Sequence, residues 1–598
     1  MKSSDIFELV RPQCVYLTKS VETVKASDIT ALRKILGSIN IEKTTFQELQ
    51  EYLLFPLRLI LRTNKRSDVI IQALDLMKYV FDNTIITTRS MFDDVFMQLL
   101  ILISSPKENI VVLDVCEEMK VSTLTCLQSL ISHISLQIME HIYKYEFYLP
   151  LSHAIYISLQ MIENDSSRDI KVNALEIILK LSEPKDIGQL QSLAGNKLAS
   201  FLPGITSCLT RVVTSDFHQG HVVIVNIIKV LQKIITLTLS DRNLQNSSEV
   251  KEKLVKNQNI PNIKRNEDWI KTTAENLSVL IKQIVSLVCH SHWKVRLALA
   301  EFSESLLLQC TSSLHNCISS LLEILLILSV DDYSNVSDKS NAILKEFAKY
   351  NVNNNRNILD ILEDDLHSLV IKLPRIVKTQ DEKQILSSLN LLLGYLNVFG
   401  SQIVHFLHSL PHQKRIILAL LHMAELENSS LIDEVATQTS ILGMDHLHWP
   451  KKNFKYFRSD QINEKFCCIC HIMGTNGDIP LLIDCLLDKI ETPVYCRQSV
   501  LILNELLLGI KYKKEKMNEM NESAHLIEYF KMIMETYLSS DLFNVKVSNF
   551  TNSGEENLSL EKIKANIQQV CLLLEGISNL AKVSTLFLIY TDTDNLKH

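Results

Sequence analysis

The stretch Glu275 to Cys310, ENLSVLIKQIVSLVCHSHWKVRLALAEFSESLLLQC, decides the fold class of the chain. Each half places apolar side chains at the three-and-four spacing of one helix face, and only the polar residues His290 to His292 separate the halves. So short a break predicts an antiparallel helix hairpin. One hairpin leaves its outer apolar stripe in water, so it needs neighbours of the same kind. The apolar positions are Leu277, Leu280, Ile281, Ile284 and Val288, followed by Val295, Leu299, Phe302 and Leu306.

Length and composition agree with a stack of such hairpins. The chain has 598 residues, whereas a single hydrophobic core stops growing at about 250–300 residues. It contains only 13 Gly and 12 Pro, far below the usual ~7% and ~5%, and β-structure with its tight turns needs more of both. We therefore predict an all-α fold, a HEAT-like α-solenoid of antiparallel helix hairpins.

Breaks in the apolar periodicity divide the predicted solenoid into five segments. Residues 1–239 are expected to form N-terminal HEAT-like repeats, and 240–267, rich in Asn, Lys and Ser, a flexible insertion. Residues 268–427 are expected to form central repeats, with a helix break at Pro374. Residues 428–453 are expected to form an irregular loop, and 454–598 C-terminal repeats.

Net charge, the length of apolar runs and the spacing of cysteines limit the class of protein. The formal charge of −7 is small for this size, so we expect neither direct nucleic-acid binding nor attraction to a membrane surface. The longest apolar runs noted, Leu321 to Val330 and Val95 to Ser104, fall short of the ~18 residues that span a bilayer. The N-terminus lacks a signal pattern, and the 13 cysteines lack framework spacing. We predict a soluble protein of the cytosol or nucleus, without membrane insertion.

Motifs for catalysis, cofactors and metals receive no support. The sequence contains no P-loop, no nucleophile elbow and no H-E-x-x-H, so we expect no enzyme, no cofactor and no metal. Cys467 to His471 formally contains the C-x-x-C-H of haem attachment, but it lies on an amphipathic helix, where buried thiols are the expected interpretation. Two histidine groups, around His405 to His412 and Cys289 to His292, offer metal-ligand types, but turn and capping roles suit them better.

Two stretches concentrate unusual turn and aromatic residues, and we hypothesise that both contact partners. An equal alternative is that they fix irregular packing between repeats. The second stretch interleaves basic and aromatic residues, which also suits single-stranded nucleic acid, although a protein partner or adjacent helices suit it better. The candidate partner-binding residues are Asp216, His218, Gly220 and His221 in the first stretch, and Trp449, Lys455, Tyr456, Phe457 and Arg458 in the second.

Several distinctive stretches follow one another along most of the chain. They are LLFPLRLIL from Leu53, FLPGITSCLTRVVTSDFHQGHVV from Phe201, DWIKTTAENLSVLIKQI with HWKVRL, KYFR from Lys455, RQSVLILNEL from Arg497 and CLLLEGI from Cys571. Together they resemble the Tel-two-interacting protein 1 family.

The resemblance implies a HEAT-repeat scaffold that joins the Tel-two and Tti-two proteins in the Triple T co-chaperone complex. That complex acts with a heat-shock chaperone and the R-two-T-P adaptor. Its clients are phosphatidylinositol-3-kinase-like kinases, including mTOR and the DNA-damage kinases, whose stability, maturation and assembly it supports. No residue is catalytic in such a role. The alternative is another HEAT-repeat adaptor, such as a transport receptor or a phosphatase scaffold, although the near-uniform repeats of phosphatase scaffolds are missing here.

The C-terminal end departs from the resembled family, whose members continue past CLLLEGI with further helical repeats. Here the pattern is left near Ala581, and the sequence stops at His598. We expect a shortened isoform, an incomplete gene product or half of a split gene. We also expect an open apolar stripe on the last helix, formed by Leu572, Leu573, Ile577 and Leu580.

Overall fold

The structure is a computed structural model that forms two compact units, Met1–Ile324 and Leu325–His598. The five-part division expected from the sequence stays a prediction, since its two breaks fall largely outside the described residues. The structure describes residues 3–38, 42–105, 112–184, 188–215, 219–242, 244, 265–353, 358–427, 452–492, 494–516, 523–539 and 560–595.

The helices up to residue 328 are numbered in chain order. They are α1 (Ser3–Lys19), α2 (Ala26–Ser38), α3 (Lys43–Thr63), α4 (Ser67–Asn83), α5 (Arg89–Ile103), α6 (Glu117–Ser132), α7 (Leu136–Ile142), α8 (Tyr148–Asn164), α9 (Arg168–Leu181), α10 (Gln189–Leu198), α11 (Leu202–Ser215), α12 (His221–Leu239), α13 (Glu267–Ile284), α14 (Trp293–Gln309) and α15 (Ile318–Leu328). Short 3-10 turns lie at Tyr145–Phe147, Val285–Cys289 and His315–Cys317.

The first unit is built as two layers of helices. One layer runs α1, α3, α5, α8, α11 and α13, and the other runs α2, α4, α6, α9, α12 and α14, each helix packing against the next in its layer. Consecutive helices from the two layers form hairpins, so the apolar face of each helix meets both its own partner and the neighbouring pair. The quoted stretch forms α13 and α14, as its periodicity predicts.

Helix α12 lies at the centre of this packing. By length and composition alone it could cross a membrane, yet 61% of its most apolar window is buried inside the protein. It contacts α9, α10, α11 and α14, which accounts for its apolar sequence as that of a core helix. The runs Leu321 to Val330 and Val95 to Ser104 are more prominent in the sequence, because Asn226, Lys229 and Gln232 interrupt the apolar pattern of α12.

The second unit repeats the two-layer arrangement. One layer runs α17, α20, α22 and α24, and the other runs α18, α21, α23 and α25. A 3-10 turn lies at Gly400–Gln402. The helices are α16 (Ser334–Asn353), α17 (Ile358–Thr379), α18 (Glu382–Phe399), α19 (Ile403–Leu407), α20 (Leu410–Met423), α21 (Asp460–Asn476), α22 (Ile479–Ile490), α23 (Cys496–Lys516), α24 (Ser523–Tyr537) and α25 (Leu560–Asn595).

The predicted fold class, an all-α HEAT-like solenoid, is confirmed, with two local corrections. First, α17 continues through Pro374 and ends at Thr379. Second, the stripe expected to be open on the last helix is mostly covered: α25 packs on α23 and α24, which buries Leu572, Leu573 and Leu580 and half-buries Ile577. The large apolar side chains exposed on the described part of α25 are Ile567 and Leu574, at 43% and 47%.

The segment expected to be a flexible insertion, residues 240–267, lies mostly outside the described residues, but both of its ends are described. At its start, the Asp241 carboxylate accepts hydrogen bonds from the backbone N–H groups of Ser312 and Ser313, at 3.1 and 3.2 Å. At its end, Arg265 is buried. Its guanidinium donates to the Asn196 side chain at 2.7 Å and to the Thr238 carbonyl at 2.8 Å. Both ends are therefore held by the first unit.

Replacing Arg265 with alanine is expected to destabilise the first unit by about 2 kcal/mol, because the buried carbonyl of Thr238 and the half-buried amide of Asn196 lose charge-assisted hydrogen bonds. Burial already lowers the pKa of Arg265 to about 10. The measurement is the free energy of opening of α10 and α12 by hydrogen exchange. Arg242→Ala, which removes an exposed arginine nearby, is the matched control, and equal exchange in the two variants would contradict the role of Arg265.

Candidate partner-binding segments

The first predicted segment brackets the turn between α11 and α12. Asp216 and His218 lie outside the described residues, whereas Gly220 and His221 are described. Gly220 has φ +84°, a conformation that side-chain-bearing residues rarely adopt, and a Cβ there would lie 3.1 Å from Nε of Arg168. The turn is therefore shaped to bring α12 close to the start of α9.

His221 stacks on His292, which belongs to the stretch that decides the fold. The ring centroids are 3.8 Å apart and the planes differ by 2°. Nδ1 of His292 accepts the backbone N–H of Lys294 at 3.2 Å and so caps α14, and Nδ1 of His290 accepts the backbone N–H of His292 at 3.0 Å. Arg296 donates to the carbonyl of His290 at 2.7 Å. The first predicted segment and the cluster Cys289 to His292 thus meet at the N-terminal ends of α12 and α14.

Acidification is expected to weaken this junction. Desolvation, together with the positive charges of His221, Lys294 and Arg296, lowers the pKa of His292. An unfolded histidine binds a proton below about 6.5. The stability that the neutral His292 contributes is therefore present above that pH, and it is lost as the pH falls from there toward the lower folded pKa.

The measurement is thermal unfolding from about pH 7.5 to about pH 5.5, across the titration range of histidine. Between these two pH values, the melting temperature of the wild-type protein should fall further than that of His292→Asn, because asparagine keeps the helix-capping acceptor but does not titrate. Matching pH profiles would show that His292 does not couple protonation to stability.

The second predicted segment begins outside the described residues, where Trp449 falls, and is described from Lys452 onward. Phe457 is 3% exposed and stacks on Phe454 at a centroid distance of 4.7 Å, and Phe454 meets Phe466 of α21 edge-on at 5.7 Å. A short antiparallel bridge pairs Leu426 with Phe454. The side chain of Phe457 therefore packs into the second unit with little exposed surface, and partner binding through it stays a prediction.

The other predicted residues of this segment, Lys455, Tyr456 and Arg458, make polar contacts near the surface of the second unit. Lys455 forms an ion pair with Glu425, and the hydroxyl of Tyr456 donates to the same carboxylate at 3.0 Å. The backbone N–H of Arg458 donates to Glu382 at 2.8 Å. The side chains of Lys455 and Arg458 are exposed and that of Tyr456 is half-buried, so partner binding by these three residues stays a prediction.

Beneath the segment lies a buried cluster of charges. Nζ of Lys452 donates to Glu505 at 2.9 Å and to Glu575 at 3.0 Å, and Nε2 of His471 lies 3.0 Å from the other oxygen of Glu505. Burial raises the pKa of Glu505, but the bonds from His471 and Lys452 outweigh it and hold that pKa at about 2. One lysine therefore ties the segment to α23 and α25.

This cluster was missed from the sequence, although a signal was present. Glu505 follows the apolar run of RQSVLILNEL, and Glu575 follows that of CLLLEGI. A carboxylate on a buried helix face needs a partner, which indicates an internal ion pair. The neighbouring Asn504 also bridges elements: it donates to the carbonyl of Leu572 at 2.8 Å and accepts from the hydroxyl of Tyr537 at 3.1 Å. The two quoted motifs thus meet at one polar centre inside the second unit.

The cysteines and histidines that could suggest haem or metal lie partly in packed helices and partly in turns. Cys470 is buried, and burial raises the pKa of its thiol well above the ordinary value. His412 stacks on Phe406 at 4.4 Å, and His408 lies 3.7 Å from Asp478. In the part of the chain that the structure describes, no three His, Cys, Asp or Glu side chains are grouped to hold a metal ion.

Two family descriptions match the chain. "TTI1 N-terminal TPR domain" matches residues 7–332, and "TELO2-interacting protein 1 homologue second TPR domain" matches residues 362–576. Among curated proteins, TELO2-interacting protein 1 homolog of Mus musculus is 31% identical over 636 residues, and that of Homo sapiens is 30% identical. Each alignment covers 96% of this chain and 58% of the relative, so the chain spans little more than half the length of these relatives.

Solved structures show distant similarity. An engineered protein matches at 9% identity with a TM-score of 0.35, covering 95% of this chain and 99% of that one. Kap121p bound to Nup53p matches at 12% identity with a TM-score of 0.36, covering 98% and 52%. TM-scores this low carry no argument about the chain. The family is shown instead by the match over residues 7–332 and by the relatives that are 30–31% identical over 96% of the chain. The protein belongs to the TELO2-interacting protein 1 family.

Proposed function

We propose that this chain is a non-catalytic scaffold subunit of a Triple T co-chaperone complex. In that role it supports the stability, maturation and assembly of phosphatidylinositol-3-kinase-like kinases, including mTOR and the DNA-damage kinases. The observation that carries the proposal is the similarity to proteins named for their interaction with TELO2, which extends over 96% of the chain. Stacked helix pairs also suit the role, because they offer long surfaces to several partners at once.

The proposed partners are TELO2 (the Tel-two protein), the Tti-two protein, a heat-shock chaperone with its R-two-T-P adaptor, and the client kinases. Family membership favours this set over a transport receptor or a phosphatase scaffold. The proposed location is the cytosol, with a nuclear fraction. Cell fractionation tests it, and recovery of the chain in a membrane or secreted fraction would contradict it.

Depletion of the protein tests the proposed role. We expect the protein levels of the client kinases to fall while their transcripts stay constant, because the scaffold acts on newly made kinase. Re-expression of the chain should restore the kinases. Unchanged kinase levels after depletion, or a matching fall in their transcripts, would contradict the role.

The two candidate segments can be tested in the same cells. Arg458→Glu should reduce recovery of the partners without changing helicity by circular dichroism. The Arg458 side chain is exposed, and the hydrogen bond to Glu382 uses the backbone N–H of Arg458. Loss of helicity together with binding would instead assign Arg458 to packing. Asp216→Lys applies the same test to the first segment.

A further inference from the structure

One face of the second unit combines an apolar centre with a basic rim. Helices α17 and α20 pack side by side in the same layer. Each exposes one large apolar side chain near its middle, namely Ile371 at 50% and Leu418 at 40%. An exposed apolar residue needs no explanation when it stands alone, but two on neighbouring helices need one if they lie together.

The contacts between the two helices fix their register. Near the middle of α17, the ring of His367 lies 4.6 Å from that of His412, near the start of α20, and His367 also hydrogen-bonds Arg415. Toward the end of α17, Nζ of Lys378 lies 6.0 Å from the ring of Tyr456, whose hydroxyl donates to Glu425, the second residue after α20. The two helices therefore run parallel. Ile371 is one turn beyond His367, and Leu418 is one turn beyond Arg415, so both occupy the same level.

Basic side chains surround Ile371 and Leu418. Arg375 and Lys378 continue the face of Ile371 at the spacing of one helical turn, and Lys414 precedes Leu418 by the same spacing; all three are exposed. Lys455 adds a further cation beside Tyr456, whose ring also lies 6.0 Å from Nζ of Lys378, and Glu425, which pairs with Lys455, is a carboxylate at this edge. The stretches 371–379 and 410–423 contain five Lys or Arg and no Asp or Glu. A chain of net charge −7 thus carries a local basic surface here.

We propose that this face, the basic-rimmed patch formed by Ile371, Leu418, Arg375, Lys378, Lys414 and Lys455, binds an acidic amphipathic helix of a partner protein. Apolar side chains of the ligand helix would cover Ile371 and Leu418, while its flanking carboxylates would meet the surrounding lysines and arginine. The inference rests on the proposed scaffold role, and it specifies the chemistry of one partner surface.

Direct binding to the purified full chain tests the patch without any other protein. The probe is a fluorescein-labelled peptide of about 18 residues, five helical turns, with leucines at the three-and-four spacing and glutamates on both sides. Fluorescence anisotropy should show saturable binding that weakens with salt. Arg375→Glu combined with Lys414→Glu should reduce affinity about tenfold or more, because two attractions become repulsions.

Three controls separate the components of binding. Lys489→Glu combined with Lys531→Glu makes the same charge change elsewhere in the second unit and should leave affinity unchanged. Ile371→Ser combined with Leu418→Ser should weaken binding while leaving its salt dependence unchanged. An oligoglutamate peptide without leucines should bind far more weakly than the probe. Circular dichroism checks that each variant remains folded.

The opposite results would overturn the proposal. Equal binding of oligoglutamate and probe would show a merely basic surface, and equal effects of the two charge-reversal pairs would place binding elsewhere. Tighter binding of single-stranded RNA or of phosphatidylserine vesicles, abolished by Arg375→Glu with Lys414→Glu, would assign the patch to nucleic acid or membrane. Because this assay involves no kinase or chaperone, its failure is distinct from unchanged kinase levels after depletion, which would contradict the scaffold role instead.

Discussion

Replacing Glu505 with alanine is expected to destabilise the second unit by about 3–5 kcal/mol, the cost of breaking a buried ion pair from one side. Glu505 is 5% exposed. Without the Glu505 carboxylate, Lys452 keeps only Glu575 as an ion-pair partner, and His471 loses the carboxylate that it contacts. The loss should spread to α21, α23 and α25, because the cluster joins the segment that starts at Lys452 to these helices.

Hydrogen exchange of peptides from those helices measures the effect. Glu491→Ala, at an exposed position of the same unit, should change the opening free energy by less than about 0.5 kcal/mol. A double-mutant cycle with Lys452→Met isolates the coupling between Lys452 and Glu505. Equal exchange in the Glu505 and Glu491 variants, or zero coupling in the cycle, would contradict the buried cluster.

The same cluster predicts acid sensitivity. The folded pKa of Glu505 is about 2, whereas a glutamate in an unfolded chain titrates near 4.3, about two units higher. The stability that it contributes is therefore present above the unfolded value, and it is lost as the pH falls from there toward 2. Glu505→Gln should remove this part of the acid dependence.

Replacing Gly509 with alanine is expected to destabilise the contact between α21 and α23 by about 3 kcal/mol, the upper part of the range for overpacking. A Cβ at Gly509 would lie 2.3 Å from the carbonyl oxygen of His471, and one at Gly474 would lie 2.4 Å from that of Leu506. The two helices approach reciprocally at these glycines, so neither backbone can give way without disturbing the adjacent His471–Glu505 contact.

Gly37→Ala is the matched control, because a Cβ there meets nothing within 4 Å. It should be neutral or stabilising by up to about 1 kcal/mol, since alanine favours helix more than glycine does. The comparison uses hydrogen exchange of α21 and α23 for Gly509→Ala and of α2 for Gly37→Ala. A stable Gly509→Ala protein with unchanged exchange would show that the helices are not in such close contact.

Periodicity within single helices was readable from the sequence, and contacts between distant residues were not. The spacing in Glu275 to Cys310 predicted α13 and α14 because each helix buries one continuous face. Pro374 predicted a helix break that the structure does not contain. A proline disfavours a helix interior locally, but Leu373 and Val377 are buried beside it, and their packing holds α17 together. Tertiary contacts therefore override a local preference that sequence patterns display.

In the candidate partner-binding segments, too, local features were readable from the sequence but contacts between distant residues were not. The aromatic residues around Phe457 were recognisable as unusual, but their burial depends on α21, which no local pattern specifies. Lys452 is separated by 53 residues from Glu505 and by 123 from Glu575, so only the fold could reveal the cluster. The stacking of His221 on His292 likewise joins the first predicted segment to the cluster Cys289 to His292, 71 residues apart in the case of the two rings. Partner binding by the exposed residues Lys455 and Arg458 stays a prediction.

The measurement that tests the central claim most directly is co-purification from cells of the protein's source, using the tagged 598-residue chain. A scaffold of the proposed kind predicts recovery of TELO2, the Tti-two protein and at least one kinase client, with reduced recovery after charge reversal of the basic-rimmed patch. Recovery of a folded, monodisperse chain without TELO2 would contradict the proposed role.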